Sequence, residues 1–340
     1  MTAPHSPPTT FRESTLWSMP IRDLGLTIEG TRLEPVVEEF RKELEVVGLR
    51  RVSPRFYLST EWGVPFETVA IAIPFYLAHE ELEEMHAERA GHVEGHNRDE
   101  ILRYLRHEMG HVVNYAYRLY DRPEWERLFG SMSEPYEDDY RPIPFSKKHV
   151  RHLPGWYAQK HPDEDWAETF AVFITPGSDW RAEYAGRPEA LAKLEYCERT
   201  LASLLDREPI VVDDELDEDV GEIEYSLAKF YRDLLPQESR LGLNLDMTLK
   251  SIFPDRGAML QPRAASQLLR RLEPELLDNV FRWTGHFPDR TRVLVDHLAA
   301  RAQSLDLSYH ESQEPAITVA LTTLVTSLAM NYVHSGAYLR

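Results

Sequence analysis

The residues best suited to chemistry are His107, Glu108 and His111, in the run His107-Glu-Met-Gly-His111. Residues four apart on an α-helix share a face, with Cβ atoms about 5–6 Å apart, so two imidazoles can aim at one ion. A Zn²⁺ ion takes such nitrogens in a tetrahedral shell. Glu108 sits beside the pair, near enough to take a proton from an attacking water without binding the ion itself. The spacing therefore supports hydrolysis assisted by one Zn²⁺ ion.

A catalytic zinc needs a third protein ligand. No histidine follows His111 at the short spacing of the metzincin pattern. The stretch Asp165-Trp-Ala-Glu168-Thr-Phe-Ala171 offers a carboxylate instead. Trp166, Phe170 and Phe173 predict a buried face, and a carboxylate there needs a strong partner. Glu168 is the expected ligand. Asp165, one turn earlier, is the alternative ligand, preferred as a group that orients a histidine. Tyr157 and His161, which lead into this helix, are candidate donors to a tetrahedral oxyanion. Packing for Tyr157 and helix capping for His161 are the plainer roles.

The elements that must position these groups are strongly signalled. Asn97 can cap a helix, Glu100 completes a capping-box-like pattern, and an apolar stripe from Ile101 to Leu119 carries the helix to Tyr120. Gly110 costs its interior about 1 kcal/mol relative to Ala, reasonable if another element or a substrate comes close. A second helix starts at Pro162, a residue suited to the first helical position, and stops before Pro176-Gly177. Asp163, Glu164 and Asp165 fall in its first turn, where the macrodipole favours carboxylates. Helices are also expected over Leu33–Arg50, Tyr76–Arg89 and Pro188–Asp206, and a strand over Thr68–Ile73. Residues 122–160 read as a long excursion with short helical pieces, of the kind that is usually functional.

The bulk numbers narrow the class. A net charge of −19 argues against a phosphate-binding surface and no Lys/Arg-rich run supplies one, so no nucleic-acid partner is expected. With one cysteine, Cys197, there is no disulfide framework. The first 20 residues lack the apolar core of a signal peptide. The stretch Ala316–Met330 is interrupted by five Ser or Thr residues and falls short of the roughly 20 apolar residues of a membrane span. A cytoplasmic protein without a membrane partner is expected. Eight acidic residues crowd the segment from Asp213 to Glu224. The reading is α+β: a flexible arm (1–30), a domain with a small mixed sheet and the histidine helix (31–210), an acidic linker (211–224), and an all-α helical domain of unassigned role (225–340).

His107-Glu-Met-Gly-His111 followed by Glu168 resembles the gluzincin class of zincin-fold metallopeptidases. More narrowly, IPFYLAH (73–79), RHEMGHVVNYAYRL (106–119) and WYAQKHPDEDWAETFAVF (156–173) resemble a family of bacterial zinc-binding metallopeptidases. The resemblance spans roughly residues 50 to 205. It implies a zincin-like fold, one zinc ion, and a peptide or protein substrate. In zincins an edge strand above the active helix pairs with the extended substrate, which implies that role for Thr68, Val69, Ala70 and Ile71; an ordinary core strand is the alternative. One departure stands out: thermolysin-like gluzincins place an Asp four residues after the ligand Glu, and position 172 is Val. The competing functions are hydrolysis of a non-peptide amide, or a catalytically silent zincin acting through its C-terminal helices.

Overall fold

Asn97 starts the helix that organises the site: its side chain accepts the Glu100 N–H at 3.0 Å, while Glu100 reaches back to the His96 N–H. The computed structural model describes residues 16–90, 92–136, 140–234, 245–253 and 262–339. The chain is mostly helical and divides into two units: residues up to 87 with 93–233, and residues 88–92 with 234–340.

In the first unit, α1 (Leu33–Val47) leads to a short pair of strands, β1 (Arg55–Ser59) and β2 (Ala70–Pro74). The strands are parallel, with Phe56 opposite Ile71 and Leu58 opposite Ile73. Next come α2 (Glu80–Ala90), α3 (Arg98–Ala116), α4 (Pro123–Phe129), α5 (Pro162–Ile174), the single turn α6 (Trp180–Glu183), α7 (Pro188–Leu204) and α8 (Leu227–Leu234). Ile101, Leu105, Met109, Val112 and Val113 bury the apolar stripe of α3 in the core. α3 ends at Ala116, short of Tyr120, because Arg118 takes a left-handed conformation and a 3₁₀ turn follows. The helix α1 is tied to α3 by a half-hidden Arg106–Glu43 pair, at 2.7 and 2.9 Å.

Gly110 marks where α3 and α5 cross. A Cβ there would lie 2.7 Å from the Ala167 Cα, so only glycine permits this approach. The Trp166 indole N–H donates to the Gly110 carbonyl at 2.8 Å and fixes the crossing.

Three expectations change. Thr68–Ile71 is not a free edge: β1 pairs along one side, the Val69 N–H donates to the Asp213 carbonyl and the Ala72 N–H to the Gly63 carbonyl. All of β2 is buried. The segment 211–224 is not a solvated linker, since Val220 and Ile223 enter the core and the Val220 N–H donates to the Leu58 carbonyl. The arm is ordered from residue 16, where Leu16, Ile21 and Leu24 are buried and the Ile21 N–H bonds the Tyr225 carbonyl; its first 15 residues lie outside the described ones.

The second unit is a helical bundle of α9 (Asp246–Ile252), α10 (Ala265–Thr284), α11 (Pro288–Ser304) and α12 (Glu314–Ser335), with one two-residue antiparallel pair at 263–264 and 308–309. By length and composition Glu311–Ser335 could cross a membrane, yet Ile317, Leu321, Val325 and Ala329 pack in this unit's core.

Candidate metal centre

The helices α3 and α5, locked at Gly110 and Ala167, bring two imidazoles and a row of carboxylates face to face. His107 Nε2 and His111 Nε2 lie 3.2 Å apart, and Glu164 Oε2 lies 2.9 Å from the first and 3.3 Å from the second. All three residues are buried. A tetrahedral ion with bonds of about 2.0–2.1 Å to N and O has ligand atoms roughly 3.3 Å apart, close to this triangle. The group could hold a metal ion, and among the described residues it is the one His/Cys/Asp/Glu cluster close enough to do so.

The outer ring nitrogens are held as a metal site requires. His107 Nδ1 lies 3.0 Å from Glu168 Oε1, and His111 Nδ1 lies 2.8 Å from Asp163 Oδ2. Ionised carboxylates only accept, so each Nδ1 carries a hydrogen, and each Nε2, which faces the Glu164 carboxylate, is left either to share a proton with it or to give its lone pair to a metal ion. Two lone pairs 3.2 Å apart repel unless a cation lies between them. In the bare site that cation is a proton. Burial works against protonation of His107, but Glu164, Glu168 and Glu108 outweigh it and hold the imidazole at about 9. His111 is likewise raised well above its usual range, burial being overcome by Asp163 and Glu164. Burial opposes ionisation of Glu164 too, yet the two histidines keep its carboxyl well below the usual range.

The expected ligand Glu168 is therefore in a different role. Fully buried, it accepts from His107 Nδ1, from the His152 N–H at 2.6 Å and from the Leu153 N–H at 2.9 Å. Glu164, read above as a first-turn dipole carboxylate, is one helical turn nearer the N-terminus and reaches both Nε2 atoms. Asp165 touches neither histidine; it is bonded to the buried Lys193 ammonium of α7. Burial raises its carboxyl to about 7 against the pull of Lys193.

Asp163, read above only as a first-turn dipole carboxylate, is gripped by three donors: His111, the Asn114 amide at 2.6 Å and the Tyr115 hydroxyl at 2.5 Å. Tyr136, within the long excursion, donates to Glu164 Oε1 at 2.5 Å. The available signal was chemical: two inward Nε2 atoms imply two acceptors on the outer nitrogens, besides a ligand.

His161 caps α5. Its Nδ1 accepts the Asp163 N–H and its Nε2 donates to the Glu134 carbonyl, so both nitrogens are engaged away from the cluster. Tyr157 does face the site, with its ring 5.5 Å from that of His107 and its hydroxyl 3.5 Å from the Tyr136 hydroxyl. Burial, and then the Glu164 charge, push both phenols above their ordinary range.

A cavity of about 240 Å³ opens on the cluster. Glu108, Tyr115, Tyr136 and Tyr157 line it, together with the segment Glu61-Trp62-Gly63-Val64, where Thr68–Ile71 had been expected. Glu108 is 5% exposed as a residue, lines the cavity, and makes no side-chain hydrogen bond among the described residues. Burial lifts it to about 7, with the histidine charges opposing. No family model, curated protein or solved structure matches the chain.

Proposed function

We propose that this chain is a zinc-dependent hydrolase of peptide bonds with a gluzincin-like site on a zincin-like fold. The observation that carries the reading is the triangle of His107 Nε2, His111 Nε2 and Glu164 Oε2 beside the unpartnered Glu108. Those three atoms would hold the ion. The donor set, two imidazoles and a carboxylate with an open side, is that of a catalytic rather than a structural zinc site. With Glu164 as the ligand, Glu168 stands four residues further along the same helix face, the position that Val172 failed to fill.

When bound, the zinc ion supplies a Lewis acid for the scissile carbonyl and the attacking water. Glu108 takes the proton of that water and later gives it to the leaving amine. A carboxyl lifted towards neutrality can do both. Tyr157, kept protonated by burial and by Glu164, donates to the oxygen on which negative charge develops, while the Tyr136 hydroxyl stays on Glu164. The Glu61–Val64 segment bounds the cavity, and an extended peptide would run along it.

Metal analysis should give one zinc per chain, and a peptide pool should be cut by the zinc-loaded protein. Glu108→Gln should keep the zinc and lose the cutting. Equal turnover by the two proteins would remove Glu108 from its role.

A further inference from the structure

The segment Glu61-Trp62-Gly63-Val64 has a hollow on each side. One is the metal cavity. The other, about 150 Å³, is lined by the same four residues with Tyr57, Ser59, Asp217 and Glu218 among others. That volume is well below a drug-sized pocket and is room for a single side chain.

We propose that this second hollow receives a basic side chain, lysine or arginine, next to the bond that is cut. The proposal rests on the peptide-hydrolase reading and narrows its substrate class.

Gly63 connects the two hollows. A Cβ at Gly63 would meet nothing within 4 Å, and its backbone is outside the left-handed region, so neither packing nor conformation calls for glycine there. Gly110 is the opposite case, where folding itself demands it. The missing side chain at 63 leaves a low point in the wall, across which a peptide in the metal cavity can lay its next side chain. That cavity offers a ligand the Glu108 side chain, 5% exposed as a residue and without a hydrogen bond among the described residues.

The charge of the second hollow selects the side chain. Asp217 and Glu218 stand at its edge, and no lysine or arginine is among its lining residues. Among the described residues the ion pairs of the acidic segment lie towards its ends, Asp214 with Arg55 at 3.7 Å and Glu224 with Arg22 at 2.6 Å. Asp217, Glu218 and Asp219 between them form no ion pair among the described residues. The Thr60 hydroxyl fixes one oxygen of Glu218 at 2.5 Å. Tyr57 reports the same field: burial, with the charges of Asp217, Asp219 and Glu218, pushes its hydroxyl up to about 12. The carboxylates are not gathered closely enough to share a metal ion, unlike the His107 cluster. A lysine or arginine stem can lie on Trp62 and Val64 while its head meets the carboxylates.

The test measures kcat/KM of the zinc-loaded full chain for paired peptides carrying lysine or norleucine at the same position. The lysine peptide should be preferred at least tenfold. In Asp217→Asn with Glu218→Gln the lysine-to-norleucine ratio should fall at least tenfold. Glu38→Gln with Glu45→Gln, which removes the same charge from exposed positions on α1, should keep the ratio. A wild-type ratio near one, or an equal fall in the α1 control, overturns the proposal. If neither peptide is cut, the hydrolase reading fails first. Fluorescence anisotropy of the two peptides on zinc-loaded Glu108→Gln then decides the pocket: tenfold tighter binding of the lysine peptide, lost with Asp217→Asn and Glu218→Gln, supports it, and equal binding overturns it.

Discussion

Glu168→Ala and Glu164→Ala should fail in opposite ways, although the two carboxylates are one turn apart on α5. Glu168 is fully buried and accepts from His107 Nδ1, the His152 N–H and the Leu153 N–H. Its removal strands three buried donors at about 1–3 kcal/mol each, partly offset by no longer burying a charge, so a net loss of about 3–5 kcal/mol is expected. For a unit of this size that corresponds to a fall in Tm of roughly 6–20 °C. Glu164→Ala strands the hydroxyl of Tyr136, which is 52% exposed and can turn to water, and takes the shared acceptor from the two Nε2 atoms, whose imidazoles then release their extra proton and leave no donor unpaired. Its metal-free stability should stay within about 1–2 kcal/mol of the wild type. Zinc reverses the order. At a free concentration 100 times Kd it should stabilise the wild-type fold by about 2.7 kcal/mol, a gain that Glu164→Ala loses. Glu168→Ala should keep about 0.4–1.4 kcal/mol of the gain at the same zinc concentration, its affinity being about 10–100-fold lower, as for loss of a group that orients a ligand. Urea and thermal melts in chelator and in buffered zinc give both quantities. If Glu164→Ala is the variant that unfolds without metal, or Glu168→Ala is neutral there, the assignment of roles is wrong.

Gly110→Ala should weaken zinc binding at least tenfold in a chelator competition, since a Cβ 2.7 Å from the Ala167 Cα must push α5 away from α3 and open the ligand triangle. It should also gain none of the about 1 kcal/mol that alanine gives an ordinary helix interior, because overpacking costs about 1–3 kcal/mol; wild-type affinity would refute the close-approach argument. Asn97→Ala should cost about 1 kcal/mol of stability through loss of the α3 cap, with zinc affinity unchanged. His149 is held down at about 4 by burial and by the Lys193 and Lys148 charges. The unfolded chain then binds a proton at this position below about pH 6.5 that the native one refuses, so stability falls between about pH 6.5 and 4, by on the order of 3 kcal/mol. His149→Asn should flatten that part of the stability-against-pH curve, and an unchanged slope would contradict it.

The elements carrying the centre were legible because their signals are local. Asn97 caps where its position before an apolar stripe says it should, Pro162 opens α5, and Gly110 marks a crossing. The third ligand was not legible, for a geometric reason. Glu164 and Glu168 share one helix face, and which of them meets both Nε2 atoms depends on how far α5 slides along α3, a tertiary quantity that periodicity does not encode. The macrodipole gave Glu164 an adequate local explanation and hid its other role. The pairing of Thr68–Ile73 was not legible because an apolar run reads alike whether its edges are free or paired. The acidic segment concealed Val220 and Ile223, two apolar residues whose burial pulls it back onto the first unit. Tyr136 gave no signal, since nothing near it is periodic.

The central claim is that His107, His111 and Glu164 hold one zinc ion, and diffraction from zinc-soaked crystals at the zinc absorption edge tests it most directly. One anomalous peak is predicted per chain, bonded to His107 Nε2, His111 Nε2 and a Glu164 oxygen at about 2.0–2.2 Å, with Glu168 remaining on His107 Nδ1. A peak bonded to Glu168 in place of Glu164, or no peak between the two histidines, would contradict it.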